Sequence, residues 1–178
     1  MDGDEIMTPD VFYLERLVAP CGEMLIATDS AGNLRALDWI DYEARMRRLL
    51  SLHYGADGVR LEERDQSSGV RAAIEDYLGG DLSAIAAIPV KTAGTPFQRE
   101  VWKELRAIPP GTTTTYGKLA GRLGRSSAVR AVGAANGANP IALVVPCHRV
   151  VGADGDLTGY AGGLERKRWL LRHEGAAV

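Results

Sequence analysis

The sequence predicts an α+β fold: a small N-terminal α+β domain with a short antiparallel sheet over residues 1–90, followed over residues 91–178 by a mainly helical domain containing a helix-turn-helix. Three observations predict it. Strand-like apolar stretches lie between residues 11 and 39, helical periodicity with strong capping signals dominates after residue 94, and the charge changes sign between the halves. With 178 residues, 46% of them hydrophobic and 25% charged, the chain can bury a sizeable core as one domain or as two small ones.

The first ten residues are expected to form a loose tail. Strand-like stretches follow at Val11–Val18, Glu23–Thr28 and Leu34–Trp39, and the turn-rich set Asp29-Ser-Ala-Gly-Asn33 joins the last two as a β-hairpin. Helical patterns occupy about Tyr42–Tyr54 and Val70–Leu78, with Gly79-Gly80 stopping the second. Cys21 and His53 fall in this half and read as structural. The segment Ile85–Gly94, passing through Pro89, is the predicted domain boundary.

Immediately beyond it, Thr95 as N-cap, Pro96 at the first helical position and Gln98 at the third form a capping box. Phe97, Val101, Leu105 and Ile108 recur at helical spacing, so this helix turns one face inward until Pro109-Pro110-Gly111 ends it. Thr115 then caps a short helix carrying Tyr116, Leu119, Ala120 and Leu123. Gly124 makes a turn, and Ser126 or Ser127 caps a second helix running to about Asn136, the pattern of a helix-turn-helix. The second helix, Arg130-Ala-Val-Gly-Ala-Ala-Asn-Gly137, offers one cation and otherwise small side chains, with little to form bidentate base contacts. Small residues permit close approach to a phosphate backbone or a narrow minor groove, and equally permit tight helix packing. On the residues alone, packing is favoured.

Composition excludes several function classes. No apolar stretch is long enough to span a bilayer, and the acidic start Met1-Asp-Gly-Asp-Glu5 lacks the basic and apolar regions of a signal peptide, so a cytoplasmic protein is expected. Cys21 and Cys147 make no disulfide framework and have no CxxC partner; no metal and no cofactor is expected. The net charge of −2 hides a division: residues 1–90 hold 8 Lys/Arg against 17 Asp/Glu, and residues 91–178 hold 13 against 6. A basic half suits an anionic partner, and two mutually attracting domains would show the same asymmetry.

The chemistry gathers near the end of the chain. The apolar run Ile141-Ala-Leu-Val-Val145 breaks at Pro146 and delivers Cys147, His148 and Arg149 in succession. A thiol is a useful nucleophile as its thiolate, and an adjacent imidazole or cation is what supplies one. A lone Cys is usually a small core residue. Here, however, Asn139-Pro140 and Pro146 frame the segment stiffly, since each proline fixes its own φ and restricts its predecessor. Such framing is what holding a nucleophile in place requires.

Pro146-Cys-His-Arg-Val150, preceded by Arg130-Ala-Val-Gly133 and Asn139-Pro140 and followed by Gly159-Tyr-Ala-Gly-Gly163 and Leu170-Leu-Arg-His-Glu-Gly175, closely resembles the O6-alkylguanine-DNA alkyltransferases. The resemblance is dense from Gly94 to Gly175, and it implies a ribonuclease-H-like N-terminal domain before the catalytic, DNA-binding one. It implies that Cys147 accepts the alkyl group of O6-alkylguanine, and of O4-alkylthymine if the range extends so far, in a single irreversible turnover. His148 would act through a water as base, Glu174 would orient the imidazole, Asn139 would brace the turn bearing the cysteine, and Tyr116 would donate to N3 of the departing guanine. By the same resemblance the partner is double-stranded DNA, bound through the minor groove by a monomer with the damaged base flipped out. Arg130 would fill the vacated space, with Ala131, Gly133, Ser127 and Tyr116 along the DNA. Val150, Tyr160, Ala161 and the Cys147 backbone would line the base pocket. Ala161 stands where some family members have a serine, which leaves only its backbone N–H to meet O6. Two other functions remain open from the residues: a lesion-binding sensor without chemistry, and a Cys-His hydrolase.

Overall fold

The computed structural model describes residues 8–178 and contains a four-stranded sheet, a two-stranded ladder and six α-helices. The acidic start and most of the expected tail lie outside the described residues. Strands β1 (Asp10–Ala19), β2 (Gly22–Thr28) and β3 (Leu34–Trp39) form an antiparallel meander. The β1–β2 turn is tight, and Gly22 takes the positive φ it needs. The second hairpin closes as expected, with the Asp29 N–H donating to the Asn33 carbonyl at 3.0 Å. A fourth strand, β4 (Val59–Glu63), was not expected from the sequence. It joins parallel to β1, so the order is β3-β2-β1-β4 and the sheet is mixed. Its sequence, Val-Arg-Leu-Glu-Glu, has two apolar residues, and β1 supplies the pairing that its weak alternation does not announce.

Both faces of the sheet are covered. On one, Phe12, Leu14, Leu25, Ala27 and Ala36 pack under α1 (Glu43–Tyr54) through Met46 and Leu50. On the other, Met24, Ile26, Leu37 and Trp39 share a continuous core with α2 (Gly69–Leu78) and with the C-terminal helices. Double coverage explains why all six residues of β3 are buried, against simple alternation.

The open edge of β3 is what positions the rest. Leu34 bonds to Pro89 and Lys91, and Leu37 donates to the Pro140 carbonyl at 3.1 Å and accepts from the Ala142 N–H at 3.0 Å. The segment leading to the cysteine is thus bonded to an edge that would otherwise present unpaired backbone groups.

Helix α3 (Pro96–Arg106) carries the complete capping box: Thr95 Oγ1 accepts from the Gln98 N–H at 3.1 Å and Gln98 Oε1 accepts from the Thr95 N–H at 3.0 Å. The two short helices after it are α4 (Tyr116–Arg122), capped by Thr115, and α5 (Val129–Gly137). Neither Ser126 nor Ser127 caps α5. The turn closes on its own backbone, with the Ala128 N–H donating to the Arg125 carbonyl at 2.8 Å, and Ala128 becomes the uncapped entry residue. Trp102 of α3 anchors α5 through its indole N–H, which donates to the Ala135 carbonyl at 2.8 Å. Strands β5 (Thr114–Thr115) and β6 (Val150–Val151) pair in parallel, and α6 (Leu164–His173) closes the chain. No helix among the described residues is long and apolar enough to cross a membrane.

Candidate active site

The site is built on a turn that does not relax into regular structure. Asn139 is 2% exposed and lashes it internally: its Nδ2 donates to the Val145 carbonyl at 2.8 Å and the Ile141 carbonyl at 3.2 Å, while its Oδ1 accepts from the Ile141 N–H at 2.9 Å. Within the loop so formed, Leu143 is buried at a φ of +68°, a left-handed conformation uncommon for a leucine. A residue held there shows that the surrounding bonds over-determine the backbone. A 3-10 turn over Cys147–Arg149 follows directly, presenting the thiol on a rigid support.

His148, directly after the buried Cys147 in the turn, and Glu174 come together. His148 Nε2 and Glu174 Oε1 are 2.8 Å apart, both side chains fully buried. Glu174 is also held by Arg149, whose Nε and Nη2 reach its two oxygens at 3.0 and 2.7 Å, and by the Tyr77 hydroxyl, which donates to Oε1 at 2.8 Å. This crowd of donors keeps the carboxyl well below the usual carboxylate range despite burial. An ionised Glu174 accepts, so His148 Nε2 carries the proton and Nδ1 is left as a basic lone pair. Nδ1 is buried and has no hydrogen-bond partner among the described residues. It is the open acceptor of the site.

Burial decides the resting protonation. It pushes the Cys147 thiol up, against the opposing pull of the Asn139 contact and of the Arg45 and Lys167 charges, and it pushes the His148 imidazole down even with Glu174 beside it. The resting pair is therefore neutral thiol and neutral imidazole, a base waiting for a proton.

The β5–β6 ladder sets Thr114 and Thr115 against Val150 and Val151, which places Tyr116 beside the cysteine turn. Its half-buried phenol donates to the Thr158 carbonyl at 3.4 Å and is raised chiefly by burial, with the Cys147 charge adding to the shift. Val150 and Tyr160 line the same region, Ala161 is half-buried next to Tyr160, and the Tyr160 and His148 rings lie 6.5 Å apart. Of the residues assigned to DNA, Tyr116 joins this cluster. Arg130, Ala131 and Ser127 are exposed on α5 and the turn before it, whereas Gly133 faces inward, where an added Cβ would lie 3.9 Å from the Tyr116 ring. Part of the small-residue pattern thus serves helix packing.

Three functional neighbours, Arg45, Lys167 and Tyr77, carry no signal in the sequence, and a fourth, Arg149, takes a different part from the one expected. Arg45 of α1 bonds Asp38 at 2.9 Å and the Gly137 and Asn139 carbonyls at 2.6 and 3.1 Å, clamping the base of the cysteine loop. Lys167, fully buried, donates to the Val150 and Thr158 carbonyls at 2.6 Å each and to Gly159 at 3.3 Å, so one ammonium ties β6 to the segment before Tyr160; burial lowers it to about 8. Tyr77 falls within the predicted Val70–Leu78 helix with nothing to mark it, and Arg149, expected as a cation serving the thiol, bonds Glu174 instead.

This architecture defines a class: an α+β protein in which a buried cysteine leads into a buried His-Glu pair with an open imidazole acceptor, together with a pair of short helices that carry exposed cations. Residues 96–176 match the family model described as 6-O-methylguanine DNA methyltransferase, DNA binding domain. The methylated-DNA–protein-cysteine methyltransferase of Salmonella typhimurium is 52% identical over 161 residues, covering 90% of this chain and 94% of that protein. The O6-methylguanine-DNA methyltransferase of Pyrococcus kodakaraensis superposes with a TM-score of 0.71 at 31% identity, covering 93% of this chain and 99% of that one. The Mycobacterium tuberculosis enzyme, solved in complex with DNA, superposes at 0.68 with 34% identity, covering 93% and 92%. The chain belongs to the methylated-DNA–protein-cysteine methyltransferase family.

Proposed function

We propose that this protein repairs DNA by direct reversal, moving the alkyl group of O6-alkylguanine irreversibly onto its own Cys147. The observation that carries this reading is the unpartnered Nδ1 of buried His148, whose other nitrogen is committed to Glu174. A buried acceptor able to take the thiol proton through a water is what a one-step displacement needs. The thiol proton passes through a water to His148 Nδ1 as sulfur attacks the alkyl carbon. The carbon–O6 bond breaks with its electron pair moving to guanine, and Tyr116 donates toward N3 of the departing base. Well-placed donors of this kind contribute a few kcal/mol, about 2.7–4 in known cases. The thioether product has no ready leaving group, so one molecule acts once.

DNA enters the reading through the outer face. Arg122, Arg125, Arg130 and Lys118 are exposed on α4, on α5 and on the turn between them, which act as a helix-turn-helix lying in the minor groove of double-stranded DNA. The damaged nucleotide flips into the pocket of Cys147, Val150, Tyr160 and Ala161, and Arg130 fills the gap, with Ala131, Ser127 and Gly133 along the backbone. Residues 91–178 carry this chemistry, residues 1–90 form the ribonuclease-H-like support, and the protein acts as a cytoplasmic monomer. O4-alkylthymine fits the same reaction.

The test is intact-protein mass spectrometry after mixing with a duplex bearing one O6-methylguanine. A gain of one methyl, mapped to Cys147 and stopping at one equivalent, is expected; unmodified protein that still binds the lesion would instead make it a sensor. Replacing Arg130 by Ala should slow transfer from duplex lesions by about tenfold, the size of a lost intercalating contact worth somewhat over 1 kcal/mol. Transfer from free O6-alkylguanine should not change, and an equal loss on both substrates would remove Arg130 from the flipping step.

A further inference from the structure

The N-terminal sheet reaches the pocket directly through one side chain. Trp39, the last residue of β3, is fully buried, and its Nε1 has no hydrogen-bond partner among the described residues. The Tyr160 hydroxyl is likewise buried without a partner among them. Two buried polar groups without partners are costly unless they serve each other or a ligand. They are neighbours. Burial holds the phenol well above its ordinary range, with the charges of Cys147 and Asp38 adding and the indole N–H opposing.

The contact has no slack. A Cβ added at Gly162 would overlap Trp39 Nε1 and Cδ1 and come within 2.8 Å of Tyr160 Cε1, so the glycine is what lets indole and phenol ring close on each other. Trp39 is itself fixed from above. The Arg166 guanidinium lies 4.8 Å over its ring and bonds the Cys21 carbonyl at 2.9 Å, Asp41 at 2.8 Å and the Gly162 carbonyl at 3.1 Å. Strand end, pocket loop and C-terminal helix are thereby locked around one tryptophan.

We propose that Trp39 is a positioning residue for alkyl transfer, its indole N–H directing the Tyr160 hydroxyl into the pocket shared with Cys147 so that the phenol donates toward the reacting sulfur or the departing oxygen. On this proposal the indole N–H is the donor and the phenol oxygen the acceptor, which leaves the phenol's own proton free to point inward. Tyr160 remains protonated throughout, since its surroundings hold it well above the ordinary phenol range. This inference rests on the alkyl-transfer reading given above and adds a part for the N-terminal sheet in it.

The experiment is a double-mutant cycle on the single-turnover rate of methyl transfer at saturating duplex, with Trp39→Phe, Tyr160→Phe and the pair together. Trp39→Phe alone should slow transfer by about five- to tenfold, the net worth of one buried hydrogen bond. In the Tyr160→Phe background it should cost no more than about twofold, with affinity for undamaged duplex unchanged in every variant. An equal loss in both backgrounds, or no loss from Trp39→Phe alone, overturns the proposal. If Trp39→Phe does not fold, the indole proton resonance of Trp39 in the otherwise intact chain replaces it: an upfield move on Tyr160→Phe is expected, and an unmoved resonance overturns the assignment. A wild-type protein that gains no methyl would sink the alkyl-transfer reading itself, which is a different result from a wild type that transfers without coupling.

Discussion

Replacing Glu174 by Gln is expected to lower stability by about 3–5 kcal/mol and to slow methyl transfer by about 10²- to 10⁴-fold. The carboxylate is 4% exposed and neutralises Arg149, which is itself 4% exposed and has its other bond to the Ile108 carbonyl. The amide keeps the shape and removes the charge, stranding a guanidinium in the core. The rate falls for a separate reason. An amide can turn its NH2 toward His148 Nε2, which then becomes the acceptor, and the imidazole proton moves to Nδ1, the nitrogen that has to take the thiol proton. The pH dependence carries a sign. Glu174 holds its proton less tightly folded than unfolded, so its contribution is full above the ordinary carboxylate range near pH 4.3 and is lost as pH falls through the depressed folded value. The stability gap between wild type and Glu174→Gln should therefore be widest at neutral pH and narrow in strong acid. Urea denaturation at pH 7 and pH 3, with single-turnover transfer at pH 7, checks both parts. A gap under about 1 kcal/mol, or an unchanged rate, would remove Glu174 from the role.

The parts of this protein legible in its sequence are those whose causes are local. Thr95, Pro96 and Gln98 announce a helix start because a capping box is closed by residues three apart, and the structure forms it. The hairpin at Asp29–Asn33 is legible for the same reason. What the sequence hides is bonding between distant segments. Lys167 is one of several charged residues in a strongly polar helix, and only the carbonyls of Val150, Thr158 and Gly159, brought to it by the fold, distinguish it from a solvated lysine. Arg45 looks like a surface residue of α1 until the Asn139 turn is seen beneath it. Strand β4 exists because β1 needed a partner, and Ser127 loses its capping role because a backbone turn satisfied the helix entry first. The candidate site was legible as a motif, through Cys147, His148 and Glu174, while the cations and the tyrosine that hold it are products of tertiary structure.

Cys147→Ala is expected to abolish covalent methyl transfer entirely while leaving the fold and duplex affinity nearly intact, with a stability cost of about 1 kcal/mol for the lost sulfur contacts. The small cost follows from the resting protonation state. Because burial keeps Cys147 a neutral thiol, alanine strands no counter-ion, and Arg45 and Lys167 keep their partners in Asp38 and in backbone carbonyls. The same reasoning separates this variant from Glu174→Gln, where a charge is removed and its partner is left behind. Nor can the other cysteine substitute. Cys21 is held up to about 11 by burial, so its thiolate is scarce at neutral pH. The measurement pairs mass spectrometry with binding of a duplex carrying O6-methylguanine. A methyl group appearing elsewhere on the chain would move the nucleophile, and a parallel loss of binding would mean that Cys147 supports the DNA face as well as the chemistry.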